Sequence, residues 1–347
     1  MYESFFNLTT KPFELVPNPA FLYLSKTHKK AITYLDYGVK EKAGFVLLTG
    51  EVGSGKTTII RDLLKKLASN VVISKVFNTK VNSEQLISMI NDDFGLDIKD
   101  KNKVLLLKDL YDFLIKQHSK GAHCVLIIDE AQNLTPELLE EIRMLSNLEA
   151  DDSKFLQIIL VGQPELKKTL SMPELRQFRQ RISISCHLYP FTGHETKEYI
   201  YHRLEIAGNR EAINFRGHTM DVIHHYSRGI PRLVNIICDF LMLSAFAEEK
   251  KDVDAYMVFE IVKDLEFDVQ YREVKTSPDN QHENIKPFKN IIVCPECSFK
   301  QLAKLYPGQQ RAECLKCGIM FTNLDASHMP MSNAKSLKFF KKRVLGE

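Results

Sequence analysis

The first 190 residues alternate between short apolar runs and stretches with helical spacing. Residues 45–49, 125–128 and 156–161 are apolar runs of strand length, and residues 58–68 place isoleucine and leucine at helical intervals. Continuous apolar runs of this length are typical of strands buried on both faces, as in parallel sheets. Strands that alternate with helices predict an α/β domain with a parallel sheet.

Beyond Pro190 the chain shows helical spacing alone. The segments with this spacing are residues 194–207, 217–227, 230–247 and 255–265. They predict a small all-helical domain after the α/β domain.

A glycine-rich loop stands between the first apolar run and the helical stretch that follows it. It reads GEVGSGKT at residues 50–57 and fits G-x-x-x-x-G-K-[ST]. Between a strand and a helix, such a loop points backbone N–H groups at phosphate oxygens. Lys56 is predicted to reach the β- and γ-phosphates of ATP, and the Thr57 hydroxyl to ligate Mg²⁺. A glycine-rich turn that matches by chance is the alternative, which the flanking pattern disfavours. The residues predicted to bind nucleotide are Gly50, Glu51, Val52, Gly53, Ser54, Gly55, Lys56, Thr57, Thr58 and, from the next motif, Asp129.

A pair of carboxylates ends the second apolar run, in the segment CVLIIDEAQNL at residues 124–134. The carboxyl end of a parallel strand lies at the same edge of the sheet as the phosphate loop. Asp129 is therefore predicted to share the magnesium ion with Thr57, and Glu130 to polarise the attacking water. The acidic pair alone is a weak signal, but two motifs in one predicted site support each other.

Two further residues are predicted to face the phosphates. Gln163 follows the run at 156–161 and would orient the water, although a turn residue before Pro164 is the alternative. Arg232 follows Pro231, which favours the first turn of a helix. A cation there opposes the helix dipole and needs an anion, either the γ-phosphate or a structural salt bridge.

Three arginines lie in the segment ELRQFRQRISIS, namely Arg176, Arg179 and Arg181. In an oligomeric ATPase, an arginine before a strand here can project into the neighbouring subunit's site and neutralise transition-state charge. Solvated arginines on a surface helix are the alternative, and the pattern does not choose among the three.

With these motifs assembled, the chain resembles the AAA+ ATPases of the ExeA type (general secretion pathway protein A). That group includes pilus-biogenesis and exopolysaccharide-system ATPases. The resemblance covers residues 1–265 and begins with MYESFFNLTTKPFELVPNPAFLYLSKTHKKAITYLDYGV. It continues through GFVLLTGEVGSGKTT, LIIDEAQNL, ILVGQPEL, LRQFRQRI and RGIPRLVNIICD. The chain is also distantly similar to the ATPase subunits of bacterial transposition systems.

The resemblance implies a P-loop AAA+ domain with a helical lid, Mg-ATP as substrate and a homo-oligomer. It implies these roles: Lys56 and Thr57 in Walker A, Asp129 and Glu130 in Walker B, Gln163 as first sensor, Arg181 as arginine finger, Arg232 as second sensor, and residues 21–28 near the adenine. ExeA-type proteins of secretion systems usually continue into a transmembrane helix and a periplasmic peptidoglycan-binding region, and neither is evident in this sequence.

Four of the seven cysteines form two Cys-x-x-Cys pairs. Cys294, Cys297, Cys314 and Cys317 have the spacing expected of a zinc ribbon with four thiolate ligands. A closed site of this kind is structural, and metal binding would supply the folding energy of so short a segment. Redox pairs are the alternative. The remaining cysteines lie singly in apolar segments and are expected to be buried thiols.

Charge is uneven along the chain. The net charge is +3, yet residues 269–347 carry thirteen Lys and Arg against seven Asp and Glu. The basic stretch KSLKFFKKR at 335–343 leaves three interpretations open: contact with nucleic-acid phosphates, contact with an anionic membrane surface, or a solubilising end.

The N-terminus shows no basic and apolar signal-peptide pattern, and the long apolar stretch at 230–247 contains Arg232, Asn235 and Asp239. We therefore expect a cytoplasmic protein without a transmembrane segment, with peripheral contact at the inner membrane left open. The predicted parts are an AAA+ domain with an N-terminal extension (1–190), a helical lid (191–268), a linker (269–290), a zinc ribbon (291–322) and a basic tail (323–347).

These observations favour an ATPase that uses Mg-ATP to drive or switch a partner assembly of the secretion, pilus or exopolysaccharide type. An ATP-switched DNA-binding adaptor that uses the ribbon and the basic tail is the alternative. A scaffold that recruits envelope machinery through the ribbon is a third.

Overall fold

The computed structural model describes residues 1–66, 70–77, 79–147, 149–150, 153–265, 288–293, 300–305, 311–313 and 320–322. Two compact units divide the chain: Met1–Asn214 with Ile223–Lys251, and Phe215–Val222 with Asp252–Glu347. The two Cys-x-x-Cys pairs and the predicted basic tail lie outside the described residues.

The apolar runs at 45–49, 125–128 and 156–161 lie in strands, as predicted, and the described residues contain further helices and strands. The described helices are α1 (Lys26–Lys40), α2 (Lys56–Lys66), α3 (Ser83–Asp93), α4 (Lys103–Ser119), α5 (Pro136–Leu145), α6 (Glu165–Leu170), α7 (Arg176–Gln180), α8 (Gly193–Ile206), α9 (Thr219–Ser227), α10 (Pro231–Ala247) and α11 (Ala255–Asp264). The described strands are β1 (Phe45–Gly50), β2 (Val71–Val76), β3 (His123–Ile128), β4 (Glu149–Ala150), β5 (Ser153–Lys154), β6 (Leu156–Gly162), β7 (Ile182–Leu188), β8 (Asn214–Phe215), β9 (Asp252–Val253), β10 (Phe288–Val293), β11 (Lys300–Leu305), β12 (Arg311–Glu313) and β13 (Met320–Thr322).

Five parallel strands form the central sheet of the first unit, in the order β2-β3-β6-β1-β7. Every residue of β1, β3 and β6 is buried, which explains why these strands read as continuous apolar runs. The sheet flanked by helices confirms the predicted P-loop α/β class. Because β6 lies between β1 and β3, the loops after these three strands meet at one edge of the sheet.

Alternate side chains of each strand enter two separate cores. Phe45 and Leu47 of β1 join the core that includes α3, α4 and α5. Val46 and Leu48 join the opposite core, which includes α1 and α2. The period of two along β1 thus fixes which helices cover each face of the sheet.

The N-terminal segment packs along α8 and α10. The Thr9 backbone N–H donates to the Ala207 carbonyl at 2.8 Å, and the Asn209 amide donates to the Phe6 carbonyl at 2.8 Å. The Tyr2 hydroxyl donates to the Asp239 carboxylate on α10. The chain that follows this anchored segment runs past the phosphate loop before α1 begins.

The second unit contains short strands that the hydrophobic pattern did not predict. In it, the Arg216 backbone N–H donates to the Val253 carbonyl at 2.9 Å, and Asp254 caps α11. Two-residue strands are too short to show a period, so the pattern predicted only helices here. Further along the chain, β10 pairs with β11 and β12 with β13, both antiparallel.

Candidate nucleotide-binding site

The phosphate loop joins the end of β1 at Gly50 to the start of α2 at Lys56. Gly53 has φ +79°, and a Cβ built on it would lie 2.5 Å from the Cβ of Arg232. Gly55 has φ +96°. Side-chain-bearing residues rarely adopt either conformation. The loop path over the N-terminus of α2 therefore depends on both glycines.

Lys56 places its ammonium group inside the loop. Its Nζ donates to the carbonyl oxygens of Gly50 at 2.8 Å and Glu51 at 3.0 Å. Burial lowers the pKa of Lys56, and the nearby carboxylates of Glu130 and Asp129 act in the opposite direction. Because these two partners are neutral carbonyl groups, the Lys56 ammonium group can turn to phosphate oxygens without breaking an ion pair.

Asp129 and Thr57 bring two oxygen ligands together beside Lys56. The Thr57 hydroxyl donates to the Asp129 carboxylate, and the Glu130 backbone N–H donates to Asp129 Oδ1 at 2.9 Å. Burial raises the pKa of Asp129, while these hydrogen bonds lower it. A hydroxyl and one carboxylate are ligands that Mg²⁺ takes together with substrate phosphates. Among the described residues, no three His, Cys, Asp or Glu side chains are grouped to hold a metal by themselves. Thr57 and Asp129 therefore fit Mg²⁺ in company with a nucleotide.

Glu130 adopts a left-handed backbone conformation directly after β3, with φ +51° and ψ +36°. This conformation is strained for a residue with a side chain. The buried Thr79 hydroxyl donates to the Glu130 carbonyl at 3.0 Å and so helps to hold it. The turn directs the Glu130 side chain into the same cavity as Lys56.

Gln163 follows β6 and faces Glu130. Its side-chain amide donates to Glu130 Oε2 at 3.4 Å, and it lines the cavity. Its backbone N–H donates to the side-chain oxygen of Gln132 at 3.0 Å. Gln132 in turn donates to Glu130 Oε2 at 2.6 Å. Gln132 was not predicted from the sequence, where its position two residues after Glu130 was the available signal.

Arg232 lies against the phosphate loop at the start of α10. Pro231 is the first residue of that helix, and the Arg232 backbone N–H donates to the Gly53 carbonyl at 3.3 Å. Just before this helix, Gly229, with φ +72°, lies so close to the Phe191 backbone that a Cβ there would lie 2.0 Å from the Phe191 carbonyl oxygen. Within the described residues, Arg232 has no ion-pair partner of the kind considered as the alternative.

The three candidate finger arginines have different surroundings. Arg179 donates to the carbonyls of Leu170 and Met172 at 2.5 and 2.7 Å, which ties it to backbone. Arg181 donates to the Ser146 hydroxyl at 2.9 Å and is half-buried. Arg176 is exposed. None of the three lines the cavity that holds Lys56.

The cavity extends from the phosphate loop to the N-terminal segment and to α8 and α10. Its lining includes Glu14, Leu15, Val16, Pro17, Asn18, Phe21, Leu22, Tyr23, His28, Val52, Gly53, Gly55, Lys56, Thr57, Thr58, Glu130, Gln163, Phe191, Tyr199, Arg203, Pro231, Arg232 and Asn235. One wall is thus phosphate-binding in character, and the other is made of aromatic rings and backbone. This second wall includes part of the segment predicted to lie near the adenine.

Arg203 on α8 contacts several parts of this second wall, and this role was not predicted from the sequence. Its guanidinium lies 4.7 Å from the Phe21 ring centroid and donates to the Tyr199 hydroxyl at 3.0 Å. It also donates to the carbonyls of Pro12 and Glu14, which lie far away in the sequence. Because no local pattern links α8 to the N-terminus, only the tertiary structure reveals this contact.

His28 links α1 to the phosphate loop through a hydrogen bond to the Ser54 carbonyl. Its Nδ1 lies 2.7 Å from the Ser25 hydroxyl, and its Nε2 lies 3.1 Å from the Ser54 carbonyl. Burial lowers the pKa of His28, so the ring is neutral near neutral pH. A neutral ring that donates to Ser54 and accepts from Ser25 satisfies both nitrogens.

One family model matches the part of the chain that contains this site. Residues 39–170 match the model described as an AAA domain. The matched stretch contains the phosphate loop, Asp129, Glu130 and Gln163.

A longer stretch is similar to a curated protein. The chain is 43% identical over 248 residues to general secretion pathway protein A of Aeromonas hydrophila. The matched stretch is 71% of this chain and 45% of that relative, so the chain spans less than half of the relative's length.

Solved structures share the fold at low sequence identity. The ORC2 protein of Aeropyrum pernix has a TM-score of 0.54 and 18% identity, over 73% of this chain and 71% of that one. Drosophila ORC bound to DNA has a TM-score of 0.57 and 13% identity, over 80% of this chain and 69% of that one. Among the described helices, none has the length and hydropathy to cross a membrane.

Proposed function

We propose that this protein binds and hydrolyses Mg-ATP and uses the nucleotide cycle to rearrange a secretion-type assembly. The observation that carries the proposal is that Lys56, Thr57 and Glu130 line one cavity and that Thr57 is hydrogen-bonded to Asp129. The similarity to general secretion pathway protein A supports the secretion-type partner.

Each side chain has a separate task in this proposal. Lys56 binds the β- and γ-phosphates, and Thr57 and Asp129 hold Mg²⁺, which neutralises charge that develops on the phosphates. Glu130 accepts a proton from the attacking water, which Gln163 helps to orient. Arg232 contacts the γ-phosphate from the start of α10.

The test compares two variants with a matched control. Lys56→Ala should lose ATP binding, because the loop then lacks its phosphate-binding cation. Glu130→Gln should bind ATP normally and hydrolyse it slowly, because the amide cannot accept the proton. Lys65→Ala, on the exposed face of α2, should behave as wild type. Turnover by Glu130→Gln at the wild-type rate would remove Glu130 from the chemistry.

We also propose a homo-oligomer in which Arg181 completes the neighbouring subunit's site. Its position outside the cavity of its own subunit supports action on another. Arg181→Ala should keep ATP affinity and lose roughly a thousandfold in kcat, as arginine fingers do, whereas Arg176→Ala should not. Mixing inactive Arg181→Ala subunits with inactive Lys56→Ala subunits should restore activity, since Lys56→Ala still supplies Arg181. Mixtures that stay inactive would argue against a finger acting between subunits.

We propose that the two Cys-x-x-Cys pairs bind a structural Zn²⁺ through Cys294, Cys297, Cys314 and Cys317. Each Cys-x-x-Cys pair lies in the sequence between two described strands that pair with each other, β10 with β11 and β12 with β13. Purified protein should contain one zinc per chain, and replacing all four cysteines by serine should remove it. Protein purified without metal would overturn this assignment.

A further inference from the structure

We infer that Gln132 is a positioning residue, which fixes the carboxylate of Glu130 relative to the tip of β6. This inference rests on the proposed function, since it concerns how Glu130 is aimed at water. Gln132 does not line the nucleotide cavity, so any effect on hydrolysis has to pass through Glu130 or Gln163.

The Gln132 amide bridges the ends of two neighbouring strands. Its Nε2 donates to Glu130 Oε2 at 2.6 Å, directly after β3, and its Oε1 accepts from the Gln163 backbone N–H at 3.0 Å, directly after β6. One planar amide thus sets the spacing between the two groups predicted to handle water. Both ends of the amide are used, which also fixes which end is oxygen and which is nitrogen.

Packing holds the bridge against β6. A Cβ built on Gly162 would lie 3.0 Å from Gln132 Oε1 and 2.9 Å from Leu166. The strand tip therefore approaches the amide as closely as a glycine allows. Thr79 holds the Glu130 backbone from the other side, through its 3.0 Å hydrogen bond to the carbonyl. Glu130 is thus constrained at both its backbone and its carboxylate.

The bridge also assigns the two carboxylate oxygens. Across the described residues, the side-chain amides that reach this carboxylate, those of Gln132 and Gln163, both donate to Oε2. Oε1 is therefore the oxygen presented to water. Loss of the Gln132 donor frees the side-chain torsions of Glu130 and lets the carboxylate rotate, which misaligns the base without removing it.

The alternative is an amide that only stabilises the turn after β3. Two variants separate the roles. Gln132→Met keeps the length and removes both hydrogen bonds, whereas Gln132→Glu keeps an acceptor for Gln163 and places a second carboxylate beside Glu130. Asn133→Ala is the matched control, because Asn133 is exposed in the same turn.

The experiment measures ATP hydrolysis, ATP affinity and thermal unfolding for each variant. Gln132→Met should lower kcat by roughly ten- to a hundredfold, as expected for a misplaced catalytic group, with ATP affinity and melting temperature close to those of Asn133→Ala. Gln132→Glu should also lower kcat. If Gln132→Met hydrolyses ATP as fast as Asn133→Ala, or loses ATP affinity and stability in proportion to rate, the positioning role is wrong.

A double variant tests whether Gln132 acts through Glu130. In the Glu130→Gln background, Gln132→Met should cause no further loss of kcat, because residues that act as a unit are not additive. A full additional loss would mean that Gln132 acts independently of Glu130. The single Glu130→Gln variant keeps the two proposals apart. Wild-type turnover there removes Glu130 from the proposed chemistry, whereas slow turnover there with fast Gln132→Met defeats the positioning role alone.

Discussion

Several side chains around the nucleotide cavity donate hydrogen bonds to the backbone that forms its walls. Each donates to a backbone carbonyl group, which needs a hydrogen-bond partner where it is buried. These contacts run from Thr79 to Glu130, from His28 to Ser54, from Arg203 to Pro12, and from Asn235 to Glu14. The cavity walls are therefore held by single residues, and substitutions there should disturb binding without touching the ligand.

Among these residues, Arg203 makes hydrogen bonds to the largest number of groups named here, namely Pro12, Glu14 and Tyr199. Arg203→Met removes the charge and the hydrogen bonds to Pro12, Glu14 and Tyr199 but keeps an unbranched chain of similar length. We expect a loss of about 2–4 kcal/mol in the free energy of unfolding, because buried carbonyls lose their partners, and weaker ATP binding. Urea unfolding and nucleotide titration measure the two effects. Arg210→Ala, on the exposed end beyond α8, should change either quantity by no more than about 0.5 kcal/mol, and an equal effect of both variants would contradict the prediction.

At the scale of elements, the site depends on which strand lies beside which. The order β2-β3-β6-β1-β7 places β6 between the strands that precede the phosphate loop and the acidic pair. Asp129, Glu130 and Gln163 meet Lys56 for this reason. The start of α10 closes the arrangement, because Arg232 packs on Gly53.

The contact between the phosphate loop and α10 can be tested by substituting two glycines that have the same φ angle. Gly53 and Gly95 both have φ +79°, but a Cβ at Gly95 would meet nothing within 4 Å. Gly95→Ala should cost about 1–3 kcal/mol of stability from backbone strain and leave ATP affinity unchanged. Gly53→Ala carries the same strain and also displaces Arg232, so ATP affinity should fall at least roughly tenfold, or about 1.4 kcal/mol. Calorimetric titration with ATP measures this, and equal affinities of the two variants would show that the loop tolerates the displacement.

At the scale of the whole molecule, buried histidines couple stability to pH. Burial lowers the pKa of His28, His123, His187 and His202. Such a histidine stays neutral in the folded chain and gains a proton on unfolding once the pH falls below its ordinary pKa of about 6.5. The histidine contribution to stability is therefore complete above about pH 7 and declines as the pH falls toward the folded-state pKa values.

The contribution of one histidine can be isolated by comparing how steeply the free energy of unfolding changes with pH in two variants. His123 is buried and its Nε2 lies 2.9 Å from the Gln157 side-chain oxygen. The free energy of unfolding, measured in urea, should decrease as the pH is lowered from about 8 to about 5.5. In His123→Gln this decrease should be less steep. His194→Gln, an exposed position, should keep the wild-type slope. A His123→Gln slope equal to that of wild type would show that this ring does not couple folding to protons.

The sequence by itself determined the fold class and the phosphate-binding loop. Buried parallel strands leave continuous apolar runs, and the phosphate loop needs glycine and lysine at fixed spacing, so both features are local. The start of α10 at Pro231 was local too, because proline sets the first-turn backbone angle.

The tertiary structure alone decided which distant residues complete the site. Arg203 reaches Pro12 across 191 positions, and Gln132 reaches Gln163 across 31. These contacts follow from strand order and from the packing of the N-terminal segment on α8 and α10, which no sequence period records. A hydrophobic pattern encodes which face of an element is buried. The partner that covers that face is chosen by the fold as a whole, and so the contacts of Arg203 with the N-terminal segment became visible only in three dimensions.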